Sequence, residues 1–321
     1  MTQNRSSSIP LGSSAAPQGN VEVIQNQRLT CNNCGHLVYS SNDSAFVTFP
    51  CNVRAFRDET FKVWQCPNCI TIHCLDVVNL DQYYAKYPFA QAKLTLPLRL
   101  CYQNLYRQLK QHRFSPAHAL LDYGCASGLF VQYLRDRGFT NCYGYDPYAS
   151  ETEFGNLAVL DNQPFDFIVL QDVIEHVEDP HLLLGQLNSL LAPGGHILIG
   201  TPNAAKIDLT QPNLSDYYNP IHVPYHLHLY NREVLEALGS SQGWQPIHYF
   251  DRPYHDTLWF GLNARAWNEY QRLIDGTLNA VFEPIKPWKA LTSNRFWFYA
   301  LFGYWLSLQT EMAIIFRKTG A

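Results

Sequence analysis

The sequence predicts an α/β fold: a doubly wound sheet covered by helices on both faces, preceded by a small cysteine-rich domain. Strand-like and helix-like segments alternate from about residue 118 onwards, as expected when helices cover both faces of a mostly parallel sheet. Two CxxC pairs lie ahead of that region. The apolar fraction of 46% in a chain of 321 residues is sufficient for a substantial core.

Four regions are predicted along the chain. Residues 1–20 are rich in Ser, Ala, Pro, Gly and Gln, and we expect a disordered tail there. Residues 21–80 are predicted to form a zinc-ribbon-like domain, and residues 81–115 a helical connector that packs it onto the next domain. Residues 116–321 are predicted to form the α/β domain, with an aromatic-rich cap inserted at about 255–308.

Charge and hydropathy restrict the classes of function. The net charge is −4 and the pI is near 6.3, so the basic surface expected of a nucleic-acid-binding protein is absent from the chain as a whole. No apolar run reaches the ~18 residues of a membrane span, and the first residues lack the apolar core of a secretory signal. We therefore predict a cytoplasmic protein whose nine cysteines are thiols or metal ligands rather than disulfides.

The four cysteines of the CxxC pairs are candidate zinc ligands: Cys31, Cys34, Cys66 and Cys69. Each pair makes a tight knuckle, and two knuckles supply four thiolates to a tetrahedral ion. Four unrelated buried cysteines are the alternative. A site closed by four protein ligands stabilises a fold and performs no chemistry.

Seven segments are predicted to be strands, and they read HALLDY, NCYGYD, NLAVLD, FDFIVLQD, HILIGT, WQPIHYF and MAIIFRK. Helices are predicted at GLFVQYLRDRG, PHLLLGQLNSLL and REVLEALGSSQG. Asp179 and Asn231 stand directly before two of these helices, where a side-chain oxygen caps the first turn. Pro193, Gly194 and Gly195 predict a turn between strands.

The turn after the first strand of the sheet indicates the ligand. Asp122 ends that strand and is followed by Gly124 and Gly128, while Asp146 ends the second strand. A glycine turn at the carboxyl end of a strand allows a ligand to approach the backbone, and an acid after the second strand can accept ribose hydroxyls. The G-x-G-x-x-G dinucleotide pattern is absent. An acid directly before the turn disfavours a pyrophosphate and suits a cationic group.

Four stretches together resemble class I S-adenosylmethionine-dependent methyltransferases, in the group that includes ubiquinone-pathway O-methyltransferases. They are LLDYGCASG, YGYDPY, FDFIVLQDVIEHVEDP and LLAPGGHILIGTPN, and the resemblance covers roughly 118–250. It implies a Rossmann-like, seven-stranded methyltransferase sheet that binds S-adenosylmethionine. The cysteine-rich domain with DQYYAKYP after it also resembles sugar C-methyltransferases, although Ile70 stands where those proteins usually have glycine.

The resemblance implies nine cofactor-binding residues: Asp122, Gly124, Cys125, Ala126, Gly128, Asp146, Asp161, Gln171 and Asp172. The family usually has glycine in place of Ala126, and alanine is compatible with that position if its φ is negative. The short interval from Asp146 to Asp166 leaves little room for a helix after the second strand. Asp161 is the candidate for the adenine amino group, and an ordinary loop acid is the alternative.

Histidines after the fifth strand are the candidates for chemistry. His228 is the first choice as base or acceptor contact and His226 the second, the alternative being histidines packed beneath a lid. The stretch QDVIEHVEDP places Asp172, Glu175 and His176 together, and some relatives bind a divalent metal ion at such residues. The alternative for this stretch is a scaffold beneath the cofactor.

The predicted function is S-adenosylmethionine-dependent methyl transfer to a small molecule. The acceptor would be methylated on oxygen or carbon and could be a sugar, quinone, lipid or other metabolite. One alternative is a zinc-ribbon binding module attached to an inert methyltransferase fold. A nicotinamide-dependent oxidoreductase is disfavoured by Asp122 and by the missing glycine pattern. The sequence does not identify a protein partner.

Overall fold

The computed structural model describes residues 27–39, 46–88, 93–149, 152–162 and 164–320. The predicted disordered tail, residues 1–20, lies outside the described residues. Numbered along the chain, the described strands are β1 Val47–Pro50, β2 Thr60–Gln65, β3 Ile72–Cys74, β4 Leu120–Tyr123, β5 Cys142–Tyr145, β6 Phe165–Gln171, β7 Leu191–Pro202, β8 His228–Leu229, β9 Trp244–Phe250 and β10 Glu311–Lys318.

The described α-helices are α1 Leu80–Tyr84, α2 Leu96–Gln111, α3 Leu129–Arg135, α4 Pro180–Leu190, α5 Tyr218–Ile221, α6 Arg232–Ser241, α7 Ala264–Ile274, α8 Asn279–Phe282, α9 Pro287–Leu291 and α10 Asn294–Phe302. Both predicted caps are confirmed, because the Asp179 side chain accepts from Leu182 N at 3.0 Å and the Asn231 side chain from Val234 N at 2.8 Å. Within the described residues, each helix is too short or too polar to cross a bilayer.

The central sheet has the strand order β5-β4-β6-β7-β10-β9. Neighbouring strands are parallel from β5 to β7, whereas β10 runs antiparallel to both β7 and β9. The predicted α/β class is therefore confirmed. Because β4, β5, β6 and β7 are parallel, their carboxyl ends lie at one edge of the sheet, which is where ligands bind in this architecture.

One predicted strand was wrong, and the described part of this sheet has six strands instead of seven. Residues Leu157–Asn162, predicted as the strand NLAVLD, form a 3-10 helix. Side-chain amides favour the turn, since Asn156 Oδ1 accepts from Ala158 N and Asn162 Nδ2 donates to Val159 O. A short or missing helix after the second strand was predicted, and 3-10 segments occupy that interval.

The predicted Pro-Gly-Gly turn lies inside β7. In the pairing of β6 with β7, Phe165 faces Leu191 and Phe167 faces His196, so the residues between them bulge out of register. Gly194 has φ +73° within the bulge. The strand thereby continues through a segment that the sequence predicted to interrupt it.

Both faces of the central sheet are covered by buried side chains. Leucines of α4 and α6 pack on one face with Leu121, Ile168 and Ile199. Helices α2 and α3 cover the other face, which carries Leu120, Val169 and Ile315. Residues on alternate positions of a strand point to opposite faces, so this two-sided burial accounts for the nearly continuous apolar sequence of β6.

A second sheet joins the cysteine-rich region to the rest of the protein. Its order is β1-β2-β3-β8, so its fourth strand comes from the region after β7. Ile72 pairs with Leu229, and His73 pairs with His228. The hydrophobic core around this sheet combines residues from β1 to β3 with residues 204–229. The small sheet and the segment containing the candidate histidines therefore fold together.

Candidate active site

The turn after β4 requires two glycines. Gly124 and Gly128 have φ of +78° and +69°, a region that glycine occupies with little strain. A Cβ on Gly124 would lie 2.3 Å from Val173 Cγ2, and one on Gly128 would lie 2.0 Å from the Phe154 ring. The backbone is held by Gly124 N, which donates to Tyr145 O at 2.7 Å. This turn thus packs tightly against the ends of β5 and β6.

Ala126 lies in the same turn with φ +49°. A negative φ was the condition for an unstrained alanine at this position, so the backbone of Ala126 is strained. An L-residue in the left-handed region costs about 1 kcal/mol relative to glycine. We expect Ala126→Gly to raise the free energy of unfolding by about 1 kcal/mol, measured by urea denaturation. Ala158→Gly is the matched control, since Ala158 is exposed outside the positive-φ region and glycine there should destabilise. A destabilised Ala126→Gly variant would contradict this account of the turn.

Two acids flank the turn. Asp122, at the end of β4, is buried, and burial together with the negative charge of Asp146 raises its pKa to about 7. Asp146 follows β5 and accepts from Ala126 N and Tyr148 N, both at 2.8 Å. Each of its oxygens takes one backbone donor, which leaves acceptor capacity for ligand hydroxyls. Burial raises the pKa of Asp146 also.

A second pair of acids lies beside them. Asp172 follows β6 and retains access to water, but the surrounding protein and the charge of Glu311 raise its pKa to about 7. Burial and the charge of Asp256 raise the pKa of Glu311 to about 7. Glu311 Oε2 has no hydrogen-bond partner in the described part of the chain, and His255 Nε2 lies 3.6 Å away. Asp172 and Glu311 therefore take up protons more readily than exposed acids, and a cationic ligand would favour their ionised forms.

Sequence reasoning missed Glu311 and His255. Glu311 begins β10, opposite Pro202 at the end of β7. An antiparallel strand brings its first residue to the edge where parallel strands end, so the antiparallel direction of β10 was the signal that could have identified Glu311.

The rings of Tyr102, on α2, and Tyr254 stack with their centroids 5.7 Å apart. Burial, together with the negative charges of Asp122 and Asp172, raises the pKa of both hydroxyl groups. Grooves of about 400 and 280 Å³ lie between α2 and residues 250–259.

The remaining candidate cofactor residues occupy different surroundings. Gln171 ends β6, donates to Asp172 Oδ1 at 3.1 Å, and covers Gly200, where a Cβ would lie 2.0 Å from its Oε1. Cys125 is half-buried in the turn and lies against Gly144. Asp161 is exposed on the 3-10 helix that replaces the predicted third strand. Its contact with adenine stays a prediction.

Glu175, His176 and His226 form a cluster beside the acids. One ligand atom from each lies within 4.8 Å of those of the other two. Glu175 is fully buried, accepts from Thr201 Oγ1 at 3.0 Å, and its Oε1 lacks a hydrogen-bond partner among the described residues. Burial, reinforced by the charge of Asp172, raises the pKa of Glu175 well above its usual value. Asp172, predicted with Glu175 and His176 as a ligand, does not join this three-residue group.

Backbone carbonyls orient the two histidines. His226 Nδ1 lies 2.9 Å from Pro220 O, and His176 Nδ1 lies 3.0 Å from Tyr225 O. A carbonyl only accepts, so each Nδ1 donates and each Nε2 of the neutral ring keeps its lone pair. Burial lowers the pKa of both rings, that of His176 to about 4. His226 Nε2 lies 3.8 Å from Glu175 Oε1, so its basic nitrogen faces the carboxyl group.

His228, the first-choice catalytic residue, lies between the two sheets. Its Nδ1 lies 2.8 Å from Nδ1 of His73, and its Nε2 lies 3.8 Å from Glu178 Oε2. The His73 ring packs on Trp64. His228 thus contacts His73 of the cysteine-rich region and Glu178 of the α/β region, and its catalytic role stays a prediction.

The helical connector also reaches this cluster. Tyr84 of α1 makes a 3.0 Å hydrogen bond through its hydroxyl with His176 Nδ1, and its ring stacks on Tyr148 at 4.5 Å. Tyr87 contacts the His222 ring, with its hydroxyl 3.2 Å from Nε2. Tyr84 therefore links the connector to the Glu175, His176 and His226 cluster, with Tyr148 stacked on its ring.

The four predicted cysteine ligands come together. Cys31 Sγ lies 3.5 Å from Cys69 Sγ, Cys34 Sγ lies 3.4 Å from Cys66 Sγ, and the four sulfurs lie within 4.8 Å of one another. Four thiolates at Zn–S distances of about 2.3 Å would lie about 3.8 Å apart, so the donor set fits a tetrahedral ion. Ile70 adopts φ +55° in the second knuckle, matching Gly35 at +73° in the first.

The cysteine cluster contacts the α/β region directly. Asn231 Nδ2 donates to Cys69 O and Asn32 Nδ2 to Tyr230 Oη, both at 3.1 Å. Arg28 Nε donates to Glu178 Oε2 at 3.0 Å. These bonds attach the knuckles to the segments that precede α4 and α6, on either side of the histidine cluster.

The mostly parallel sheet, with its glycine turn at the carboxyl end of β4, defines a Rossmann-like α/β fold. Residues 97–249 match the family model described as a methyltransferase domain.

Curated relatives are ubiquinone biosynthesis O-methyltransferases. That of Caulobacter sp. (strain K31) is 33% identical over 102 residues, which cover 26% of this chain and 40% of the relative. That of Bradyrhizobium sp. (strain ORS 278) is 28% identical over 130 residues, 33% of this chain and 51% of the relative. The chain thus spans about half or less of these relatives. A geranyl diphosphate C-methyltransferase from Streptomyces coelicolor is a structural neighbour at 14% identity and TM-score 0.42, over 68% of this chain and 78% of that one.

Proposed function

We propose that this protein is an S-adenosylmethionine-dependent methyltransferase acting on a small-molecule acceptor. The observation that carries the proposal is the group of acids at the carboxyl edge of the sheet: Asp122, Asp146, Asp172 and Glu311. In the described part of the chain, none of them forms an ion pair with lysine or arginine. Asp122 and Asp146 are buried, and buried carboxylates without cationic partners are costly unless a ligand supplies the positive charge.

S-adenosylmethionine fits this donor set because it carries an ammonium and a sulfonium group. When bound, it supplies an activated methyl group. Asp146 would accept the ribose hydroxyls, as acids after the second strand do in nucleotide-binding folds. Asp122 and Asp172 would face the cationic groups, and the backbone of the Gly124–Gly128 turn would allow close approach. The protein's main contribution would be to hold donor and acceptor in position.

We assign proton removal from the acceptor to His226 rather than to His228. His226 has a neutral ring with Nε2 directed at Glu175, whereas His228 bonds with His73. A neutral histidine can accept a hydroxyl proton at Nε2, and Glu175 in its ionised form would stabilise the imidazolium that results. The Tyr84 ring contacts His176, and the rings of Tyr148 and Tyr225 pack against Tyr84. Such aromatic packing suits a flat acceptor, so we propose O-methylation of an aromatic hydroxyl.

A divalent metal ion at Glu175, His176 and His226 is the second candidate for activating the acceptor. The observation that favours it is that backbone carbonyls fix both Nε2 lone pairs, the arrangement common for metal-ligating histidines. Such an ion would lower the pKa of a bound hydroxyl. If EDTA leaves activity unchanged and Mg²⁺ or Mn²⁺ does not raise it, His226 acts without an ion.

We propose that Cys31, Cys34, Cys66 and Cys69 hold a structural zinc ion. The convergence of four thiols from two knuckles supports this, because tetrahedral thiolate sites of this kind are closed and stabilise folds. The ion would hold the small sheet in place, and through β8 it would position His226.

Calorimetric titration of the purified protein tests the function. We expect S-adenosylmethionine and S-adenosylhomocysteine to bind at one site per chain, and NADH not to bind. Binding of NADH alone would support the oxidoreductase alternative. Absence of binding by all three would support the binding-module alternative with an inert fold.

A further inference from the structure

Helix α10 exposes an apolar face to solvent. Ala300 is buried, and the helix packs on α7. The opposite side carries large apolar residues at one-turn spacing that continues into the following 3-10 turn, and Leu301 and Trp305 are 55% and 65% exposed. We define the outer face as Trp297, Phe298, Leu301, Phe302 and Trp305, and Trp288 of the preceding helix α9 is exposed as well. A surface helix normally presents its polar side to water, so this orientation requires a partner.

The outer face continues onto a neighbouring loop. Leu258, Trp259 and Phe260 are each more than half exposed. Gly261 N donates to Ala300 O at 3.1 Å, and the Phe260 ring lies 5.7 Å from the Trp297 ring. The loop and α10 therefore form one contiguous apolar surface. Large exposed apolar patches mark sites of protein or membrane contact.

The charges around this surface are positive. Residues 284–310 contain Lys286, Lys289 and Arg295 and no acid, in a chain of net charge −4. Lys289 is exposed. Arg295 pairs with Glu269 at 3.2 Å, but Glu269 already pairs with Arg272, so the pairing leaves a net positive charge. Tryptophan beside lysine and arginine is the composition of segments that lie in the headgroup region of a membrane.

We infer that the outer face docks in the plane of a membrane that contains anionic lipids. Helix α10 has nine residues, about 14 Å of helix, against a hydrocarbon thickness of about 30 Å, so it lies along the surface. A second copy of the chain is a poorer occupant. A two-fold interface places equal surfaces together, and it would bring the exposed Lys289 of both copies to a largely apolar contact.

Co-sedimentation with vesicles tests this inference. The probes are vesicles of phosphatidylcholine alone and vesicles in which phosphatidylglycerol replaces part of it. We expect the protein to bind the anionic vesicles at least about tenfold more strongly, since each basic residue near such a surface adds about 1 kcal/mol. Added salt should reduce the difference. Equal binding to both vesicles, or no binding to either, would overturn the inference.

Variants of exposed residues separate docking from folding. Leu301→Ser combined with Trp305→Ser should lower vesicle binding about tenfold with little change in melting temperature, because both side chains are exposed. Lys289→Glu should weaken binding to the anionic vesicles only. Leu182→Ser is the matched control, since Leu182 is a helical leucine with 62% exposure on α4, and it should bind like wild type. If the double variant dissociates a dimer seen by sedimentation velocity and leaves vesicle binding unchanged, the occupant is a second copy.

Discussion

Replacing Asp122 by Asn is expected to stabilise the ligand-free protein at pH 8 and to weaken binding of S-adenosylmethionine at the same time. Burial raises the pKa of this carboxyl group to about 7 in the fold, from a reference of 3.8. The folded state therefore binds a proton that the unfolded state has released between about pH 4 and pH 7. Stability falls as pH rises through that window, and above it the ionised, buried Asp122 destabilises the fold.

The expected gain at pH 8 is about 1–3 kcal/mol in the free energy of unfolding, and it should vanish near pH 4. The titratable groups around Asp122 are Asp146, Cys125, Cys142, Tyr102 and Tyr254. These groups are present in both wild type and variant. The difference between their free energies of unfolding at each pH therefore reports the contribution of Asp122. Urea denaturation at several pH values measures it, and Asp58→Asn, on a nearly fully exposed side chain, is the control that should show no change.

The same substitution should weaken S-adenosylmethionine binding about tenfold to a hundredfold, because a charged hydrogen-bonding partner contributes about 1.5–3 kcal/mol. The loss should be smaller for S-adenosylhomocysteine, which lacks the sulfonium charge. A variant that is stabilised and still binds both compounds like wild type would show that Asp122 does not serve the cofactor.

Replacing Cys66 by Ser is expected to release zinc and to lower stability by several kcal/mol. Structural zinc sites supply folding free energy directly, about 10–16 kcal/mol in isolated zinc-finger peptides. The loss should spread beyond the knuckles, because the small sheet shares its core with residues 204–229 and includes β8. We therefore expect a fall in melting temperature of at least about 10 °C together with loss of methyl transfer.

Metal analysis and thermal unfolding measure both effects. Cys74→Ser is the matched control: Cys74 is a buried thiol of the same small sheet, outside the four-cysteine cluster, and it should keep one zinc per chain. If wild type purified with zinc in the medium contains none, or if Cys66→Ser keeps it, the four thiols are not a zinc site.

Local patterns predicted most of the central sheet. The apolar run of β6, the glycine turn after β4 and the caps Asp179 and Asn231 are signals that neighbouring residues determine. The segment NLAVLD misled because its apolar alternation also fits a 3-10 turn, and the side chains of Asn156 and Asn162 favour the turn. A short apolar segment does not by itself show whether a strand or a 3-10 turn will form.

The arrangement of the site was harder to predict, because it depends on contacts between residues distant in sequence. The four cysteines were predictable because each knuckle is local and the CxxC spacing is diagnostic. Glu311, more than a hundred residues after Asp172, joins the acids only because β10 is antiparallel. His226 and His228 are two residues apart, yet one faces Glu175 and the other His73. Side chains on alternate positions of an extended segment point to opposite faces. The sequence does not show which face meets the ligand until the elements packed on both faces are known.

Transfer of label from methyl-labelled S-adenosylmethionine into a cell extract tests the central claim most directly. With wild-type protein we expect label in a low-molecular-weight compound extractable into organic solvent, and about a hundredfold less with His226→Ala. Equal labelling by the His226→Ala variant would contradict the assigned base. No labelled compound with wild type, in protein shown to bind S-adenosylmethionine, would contradict the proposed methyltransferase activity on a small molecule.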